Sequence, residues 1–232
     1  MTETIKLKKQ VIDLLKQFET GEGADLRNQV LELVPVWQAR RELGVSLLPA
    51  DVRQAARSRL LYYFQQYPGL VLSQSELAIV AGISEWARRV RELRVELGWS
   101  ILSGKTVKEM LEEGDLDAQA FSGATDMGPD DYVMTSLDQD RDAAYRWKVA
   151  KDIRSKKTGV KSKVLEFLRS NVGRAVSGEE LRYVAKDKTE WARRVRELRT
   201  EEGWPISTYW SGRPELKSGW YLLEEDRQTP AH

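Results

Sequence analysis

The stretch EWARRVRELR occupies residues 85–94, and the same ten letters return unchanged at residues 190–199. The similarity extends on both sides, over residues 57–101 in the first copy and 161–206 in the second. Within these ranges, matching Gly, Ser, Glu-Leu, Val-Ala, Trp and Ile residues follow one another in the same order. Self-similarity of this kind is the sequence signature of a repeated structural unit, so the chain is predicted to contain a duplicated domain.

Both copies contain the same order of predicted elements. In the first copy, apolar residues at helical spacing predict a helix over residues 57–67. Ser73 lies three residues before Glu76, which is the spacing of a capping box, and predicts the start of a second helix. Ser84 is a good helix cap, so the decapeptide is predicted to form a third helix that ends at Gly98. The equivalent positions of the second copy are 161–171, Ser177, Glu180, Thr189 and Gly203.

Short apolar runs after the third helix predict a pair of antiparallel strands in each copy. They lie at 99–102 and 132–134 in the first copy and at 204–207 and 221–223 in the second. Three helices followed by a two-stranded wing is the winged-helix order, a variant of helix-turn-helix. The first wing is longer by about sixteen residues, around an acidic run at 108–131, and this insert is predicted to be a mobile, solvated loop.

The decapeptide has one apolar and one basic helical face. At about 100° per residue, Trp86, Val90, Leu93 and Leu97 share the predicted core face, and Ser84, Arg88, Arg91 and Val95 lie opposite. The basic side chains suit the major groove, because one guanidinium can bridge the two acceptors of guanine. The alternative is an ordinary exposed helix surface decorated by Arg–Glu pairs. The predicted DNA-contacting residues of the third helices are Ser84, Arg88, Arg89, Arg91, Arg94, Thr189, Arg193, Arg194, Arg196 and Arg199.

Aromatic residues crowd the second wing. Tyr209, Trp210 and Trp220 lie close in sequence to Arg213 and Lys217. Such aromatic side chains could stack on a base or enclose an added methyl group, and they could equally pack within the wing itself. Tyr209, Trp210, Arg213 and Lys217 are therefore included among the predicted DNA-binding residues. The tryptophans of the third helices, Trp86 and Trp191, and the strand residues Trp99 and Trp204 are predicted to belong to the core.

The composition excludes several classes of protein. The formal net charge is +1, from 37 basic and 36 acidic residues, so DNA binding would depend on clustered arginines rather than on overall charge. The chain has no cysteine and a single histidine, His232, so neither a metal site nor a disulfide is expected. Phosphate-loop and nucleophile-elbow motifs are absent. The predictions are no catalytic residue, no cofactor, no membrane span and a cytoplasmic location.

The chain divides into five predicted segments. They are a helical N-terminal segment at 1–50, a winged-helix domain with a long wing insert at 51–135, a linker helix at 136–157, a second winged-helix domain at 158–227 and a tail at 228–232. The predicted fold class is thus mainly α with small β wings. Residues 6–19 and 25–44 show helical apolar spacing, with a bend expected near Pro35. These two helices are expected either to pack on the first wing domain or to form a homodimer.

The run TEWARRVRELRTEEGWPISTYWSGRPELKSGWYLLEEDR at 189–227 resembles a winged-helix segment ahead of the catalytic domain in bacterial HNH endonucleases, especially restriction-type enzymes. The likeness recurs at 84–104. It implies that the chain is the recognition part of a longer enzyme, with the HNH domain expected beyond it. Methylation-dependent members of this class read methylated bases, including N6-methyladenine, so the resemblance also implies double-stranded DNA, methylated or unmethylated, as the partner.

Two other functions remain open from the residues alone. Winged helices also serve in transcription regulators, for which the N-terminal helices would supply a dimer. They serve in protein-interaction scaffolds as well, for which the arginine faces would meet acidic partners. A DNA reader must lose affinity steeply as salt rises, whereas a scaffold would bind nucleic acid weakly or not at all.

Overall fold

The computed structural model describes residues 2–18 and 25–228. They form a mainly helical fold with two three-stranded antiparallel sheets, so the predicted fold class, mainly α with small β sheets, is confirmed. The helices are α1 (Glu3–Gln17), α2 (Leu26–Ser46), α3 (Ala56–Gln66), α4 (Gln74–Ala81), α5 (Trp86–Arg91), α6 (Gly104–Glu112), α7 (Ala143–Ser155), α8 (Val160–Arg169), α9 (Gly178–Val184) and α10 (Trp191–Thr200). The strands are β1 (Val71–Leu72), β2 (Trp99–Ser103), β3 (Tyr132–Gln139), β4 (Val176–Ser177), β5 (Ile206–Thr208) and β6 (Trp220–Leu223).

Contacts between residues divide the described chain into two compact units. The first unit comprises the described parts of 1–63 and 75–90, and the second comprises those of 64–74 and 91–232. The second unit contains both sheets and all of the second copy.

In the first unit, α1 packs along α2, and every residue of α1 keeps some solvent exposure. Pro35 lies inside α2, which is a single helix from Leu26 to Ser46. The second half of α2 approaches α4 closely, because a Cβ atom on Gly44 would come within 2.7 Å of the carbonyl oxygen of Ile79. Glycine at this position therefore permits the two helices to meet.

Two arginines of the first unit bind the carbonyl groups at the end of α4. Arg59 is buried and donates to the carbonyl oxygens of Val80 at 3.2 Å and of Ala81. Arg41 donates through Nε to the carbonyl oxygen of Gly82 at 2.7 Å. The last carbonyls of a helix lack partners within the helix, so these arginines satisfy them and hold α2, α3 and α4 together.

The second unit builds the same sheet twice. The strand orders are β1-β3-β2 and β4-β6-β5, all antiparallel. The predicted wing pairs are confirmed, with Ile101 opposite Met134 in the first sheet and Ile206 opposite Leu223 in the second. At the positions of the outer strands β1 and β4, the sequence predicts only short loops between helices. Each of these strands has only two residues, which is too short to show the alternation that identifies a strand.

The two sheets contribute to one continuous hydrophobic core. Leu102 of β2 and Met110 of α6, from the first copy, belong to the same buried cluster as Phe167, Trp191 and Tyr221 from the second copy. The first wing is therefore packed into the second copy and does not stand apart from it.

The first wing insert differs from the predicted mobile loop. Helix α6 begins just before the insert and continues into it, with the Ser103 side chain accepting a hydrogen bond from the backbone N–H of Thr106. Val107 and Met110 of this helix and Leu116 beyond it are fully or nearly fully buried. Burial of these apolar side chains against the second copy stabilises the segment, and its abundant acidic residues concealed that pattern in the sequence.

The predicted linker helix is shorter than expected. Residues 136–139 continue strand β3, and the helix α7 begins only at Ala143. Its residues Ala150 and Ile153 are buried in the common core. Buried Arg146 forms an ion pair with Glu180 at 3.0 Å, and this pair joins α7 to the start of α9. α7 is thus an integral element of the second unit.

Candidate nucleic-acid interface

Helix α10 presents the basic face that the decapeptide predicts. Trp191, Val195 and Leu198 are completely buried. The side chains of Arg193 and Arg196 are 60% and 44% exposed and lie on the opposite side of the helix. Gly203 ends this segment with a positive φ of 70°, a conformation that glycine adopts without steric cost. Buried and exposed residues therefore lie on opposite faces of α10, as the helical projection predicts.

The start of α10 differs in one detail. The helix begins at Trp191, and Glu190 occupies the N-cap position. Thr189, the predicted cap, lies one residue earlier and is exposed. Its hydroxyl thus lies at the exposed N-terminal approach to α10, where a short polar group suits contact with phosphate or a base edge.

Arg193 and Arg196 each face a carboxylate through the inner nitrogen, Nε. Nε of Arg193 donates to Oε1 of Glu197 at 3.1 Å. Nε of Arg196 lies 3.1 Å from Oε2 of Glu113, an ion pair whose geometry is not that of an aligned hydrogen bond. Both arginines are thus held at their inner nitrogen, which leaves the two terminal amino groups to face other partners.

Arg194 and Arg199 use their terminal amino groups within the fold. Arg194 donates through Nη1 to both carboxylate oxygens of Glu197, at 2.9 and 2.7 Å. Arg199 is only 20% exposed and donates through Nη1 to Asp115 at 2.9 Å. These two side chains stabilise the helix and its contact with the wing insert. They are less suited to base readout than Arg193 and Arg196.

The third helix of the first copy departs from the prediction in its second half. Regular α-helix ends at Arg91, and residues 92–96 form a π-helical turn. The wider turn rotates the following side chains, so Val95 is 2% exposed although the helical projection places it opposite the core. Arg94 turns inward as well, with Nη1 3.0 Å from Oε2 of buried Glu179. The Arg94 side chain is only 10% exposed.

The first half of that helix keeps its predicted exposed face. Ser84, Arg88 and Arg91 are exposed, and Arg89 is half-buried. Arg88 lies 3.9 Å from Glu85, a loose surface ion pair. The predicted core residues Val90 and Leu93 are completely buried, whereas Trp86 and Leu97 are only partly buried.

The three aromatic residues of the second wing separate into two groups. Trp220 is 7% exposed and belongs to β6. Tyr209 and Trp210 follow β5 and remain 37% and 47% exposed, with their rings packed edge to face at 4.7 Å. The core interpretation is therefore correct for Trp220, while Tyr209 and Trp210 form an exposed aromatic pair at the turn of the wing.

The basic residues of that wing already have hydrogen-bond partners within the fold. Arg213 forms a two-bond pair with Glu224 at 2.8 and 2.7 Å and also contacts Glu215. These carboxylates raise the pKa of the Arg213 guanidinium above its ordinary value. Lys217 donates to the carbonyl oxygen of Asp138 at 2.9 Å. Contact with a phosphate would have to compete with these bonds.

Sequence reasoning missed the acidic residues of the first wing insert that contact the second copy. Glu109 accepts a hydrogen bond from the indole Nε1 of Trp191 and another from Arg182 at 3.1 Å. Asp115 and Glu113 pair with arginines of α10. The apolar spacing of Val107, Met110 and Leu111 was a signal for the helix, although it does not name the partner surface.

Within residues 2–18 and 25–228, no cluster of His, Cys, Asp and Glu residues has an arrangement that could hold a metal ion. In the same part of the chain, every helix is too short or too polar to cross a bilayer.

The fold and this surface define a class: a duplicated unit of three helices and a small antiparallel sheet, with an arginine-bearing third helix. The family model of the KpnI N-terminal domain matches residues 57–135 and residues 161–224, which correspond to the two copies. The chain belongs to this family, and it is therefore related to a region of restriction enzymes. No curated protein and no solved structure matches the chain.

Proposed function

We propose that this chain is a double-stranded DNA-binding module that acts as the specificity region of a restriction endonuclease. The observation that carries the proposal is the exposed basic face of α10, where Arg193 and Arg196 are held through Nε. A guanidinium with two free terminal amino groups can pair with both major-groove acceptors of guanine. Membership in a restriction-enzyme family supports the same role. Such a module would act in the cytoplasm, on DNA.

We further propose that each copy is a winged helix. The first-copy order α3-β1-α4-α5-β2-β3 and the second-copy order α8-β4-α9-α10-β5-β6 are equivalent, with α6 inserted in the first wing. Helix-turn-helix proteins of this type place the third helix in the major groove. The proposed domain limits are those of the sequence analysis, 51–135 and 158–227, and an HNH-type catalytic domain is the proposed partner in the enzyme.

The exposed pair Tyr209 and Trp210 supports readout of a modified base as part of this function. Aromatic faces stack on bases of any sequence, and an apolar face accommodates a methyl group without the cost of burying a polar one. We propose N6-methyladenine as the modification because the chain resembles enzymes that read it.

The experiment that tests the proposal is binding of fluorescent random-sequence duplex DNA at low and at physiological salt. A module that neutralises several phosphates must lose affinity steeply as the salt concentration rises. The logarithm of the binding constant falls linearly with the logarithm of the salt concentration, with a slope of about −0.9 per phosphate contact. A chain that binds no duplex at low salt is not a DNA reader. Steep salt dependence with a preferred sequence from a randomised pool, methylated and unmethylated, supports the proposed function.

A transcription regulator or a protein-interaction scaffold would use the same fold differently. A transcription regulator would bind a specific DNA sequence but would not be part of a nuclease. A scaffold would bind acidic proteins through Arg193 and Arg196 and would show little binding to duplex DNA. The salt experiment separates the scaffold from the two DNA-binding functions.

A further inference from the structure

Helix α10 receives an acidic partner from outside its own copy. Glu113 follows α6 in the first wing insert, and its Oε2 lies 3.1 Å from Nε of Arg196. Its side chain is 16% exposed, whereas that of Arg196 is 44% exposed. The carboxylate is thus largely enclosed at the base of a guanidinium whose outer part reaches solvent.

The insert is fixed firmly enough to define where this carboxylate lies. Met110, three residues before Glu113, is completely buried in the shared core. Asp115, two residues after it, is 2% exposed and accepts hydrogen bonds from Arg199 at 2.9 Å and from the Tyr221 hydroxyl at 3.1 Å. Glu113 therefore lies between two anchored residues, on a short connection with little freedom to move.

We propose that Glu113 is a positioning residue that orients Arg196 for base readout, so that the first copy completes the reading surface of the second. This inference rests on the proposed DNA-binding function. A flexible arginine loses side-chain entropy when it pairs with a base, and a carboxylate that already holds its Nε reduces that loss. Within α10, Glu197 accepts a hydrogen bond from Nε of Arg193.

The arrangement is specific to the second copy. The short second wing has no counterpart of the insert at 108–131, so no equivalent carboxylate is available for the first-copy helix from that source. In addition, that helix becomes π-helical after Arg91. Sequence discrimination is thus assigned chiefly to α10.

The test compares Glu113→Gln with Glu112→Gln on the duplex selected by the wild-type chain and on a scrambled duplex. Glu112 is adjacent, 60% exposed and 4.0 Å from Lys108, so its substitution removes the same charge without touching α10. We expect Glu113→Gln to lower the preference for the selected duplex over the scrambled one about tenfold. This change lies within the discrimination that one bidentate arginine supplies. Glu112→Gln should leave that preference unchanged, and Glu113→Asp should restore part of it.

Three further measurements distinguish positioning from other effects. Thermal unfolding of Glu113→Gln should match that of the wild type, and in an Arg196→Ala background Glu113→Gln should cause no additional loss, because coupled residues are not additive. If Glu113→Gln raises affinity for both duplexes equally, Glu113 competes with DNA and the inference is overturned. The inference also fails if Glu113→Gln behaves as Glu112→Gln does. A wild-type chain that binds no duplex refutes the proposed function itself.

Discussion

The hydroxyl of Tyr221, in the second sheet, donates a hydrogen bond to Oδ2 of Asp115, in the first wing insert, at 3.1 Å. Both side chains are buried, and Oδ1 of the same carboxylate accepts from Arg199 of α10. One acidic residue of the first copy thus joins the sheet and the third helix of the second. The first wing insert and the second copy are thus joined within the second compact unit of the chain.

Replacement of Asp115 should therefore destabilise the fold. Asp115→Ala removes the carboxylate partner of the Arg199 guanidinium, which also contacts the Ser211 hydroxyl, and leaves the Tyr221 hydroxyl buried without this acceptor. Removing one member of a buried ion pair costs about 3–5 kcal/mol. We expect a loss of this size in the free energy of unfolding, measured by urea denaturation. Asp117→Ala, on an exposed residue of the same insert, is the control and should change that free energy by less than about 1 kcal/mol.

The same carboxylate should give a defined pH dependence. Burial raises the pKa of Asp115 above its ordinary value, although the Arg199 guanidinium opposes this shift. The folded state therefore binds the proton more tightly than the unfolded state does, so the contribution of Asp115 to stability is greatest below the ordinary pKa. It declines as the pH rises through the raised pKa.

Asp115→Asn lacks this titration and isolates it. The wild-type free energy of unfolding minus that of Asp115→Asn should decrease as the pH is raised from about 4, where an ordinary Asp side chain titrates. Chemical denaturation of both proteins across the acidic range measures this difference. A difference that grows with pH would mean that the Arg199 pair outweighs burial, contrary to the expectation.

Helix α2 presents an exposed apolar seam. The seam consists of exposed residues on one face of α2 at heptad spacing, namely Leu26, Val30, Leu33 and Trp37. This 4-3-4 spacing is that of paired helices, so we propose that two chains associate through α2. Val30→Glu with Leu33→Glu should convert the dimer to a monomer in sedimentation velocity, whereas Gln38→Glu, off the seam, should not. A wild-type chain that stays monomeric at high concentration contradicts the proposal.

The exposed aromatic pair should contribute to recognition of a methylated base. Trp210→Ala should lower affinity for duplex DNA containing N6-methyladenine by about 1–3 kcal/mol, the range for loss of a stacking aromatic, with a smaller loss on unmethylated DNA. Tyr145 of α7, which is 76% exposed, offers a control at Tyr145→Ala. Equal losses on both duplexes would assign Trp210 to general DNA contact, and no loss on either would place it outside the interface.

Local patterns predicted much of the fold. Burial of Trp191 and Val195 and exposure of Arg193 follow from helical periodicity, and the wing strands follow from short apolar runs after glycine. The capping box of Ser177 and Glu180 is confirmed, with Ser177 N–H donating to Oε2 of Glu180 at 2.9 Å. These features depend on residues that are near each other in sequence.

Features that depend on distant contacts could not be predicted in this way. The π-helical turn that contains buried Val95 cannot be predicted from the helix propensity of its residues. The contact of Glu113 with Arg196 requires the first wing to dock on the second copy. An acidic insert is typical of a solvated loop, and only the tertiary structure shows that Glu109 and Asp115 contact the buried side chains of Trp191 and Tyr221.

Two matched double substitutions test the central claim most directly, which is that α10 of the second copy carries most of the sequence discrimination. We expect the first copy mainly to add affinity. Arg88→Ala with Arg91→Ala and Arg193→Ala with Arg196→Ala are each measured on the selected and scrambled duplexes by fluorescence anisotropy. The second pair should remove discrimination, by about 1–3 kcal/mol for each base-pairing arginine that is replaced. The first pair should weaken binding to both duplexes alike. If instead the first pair abolishes discrimination while the second leaves it intact, the claim is wrong.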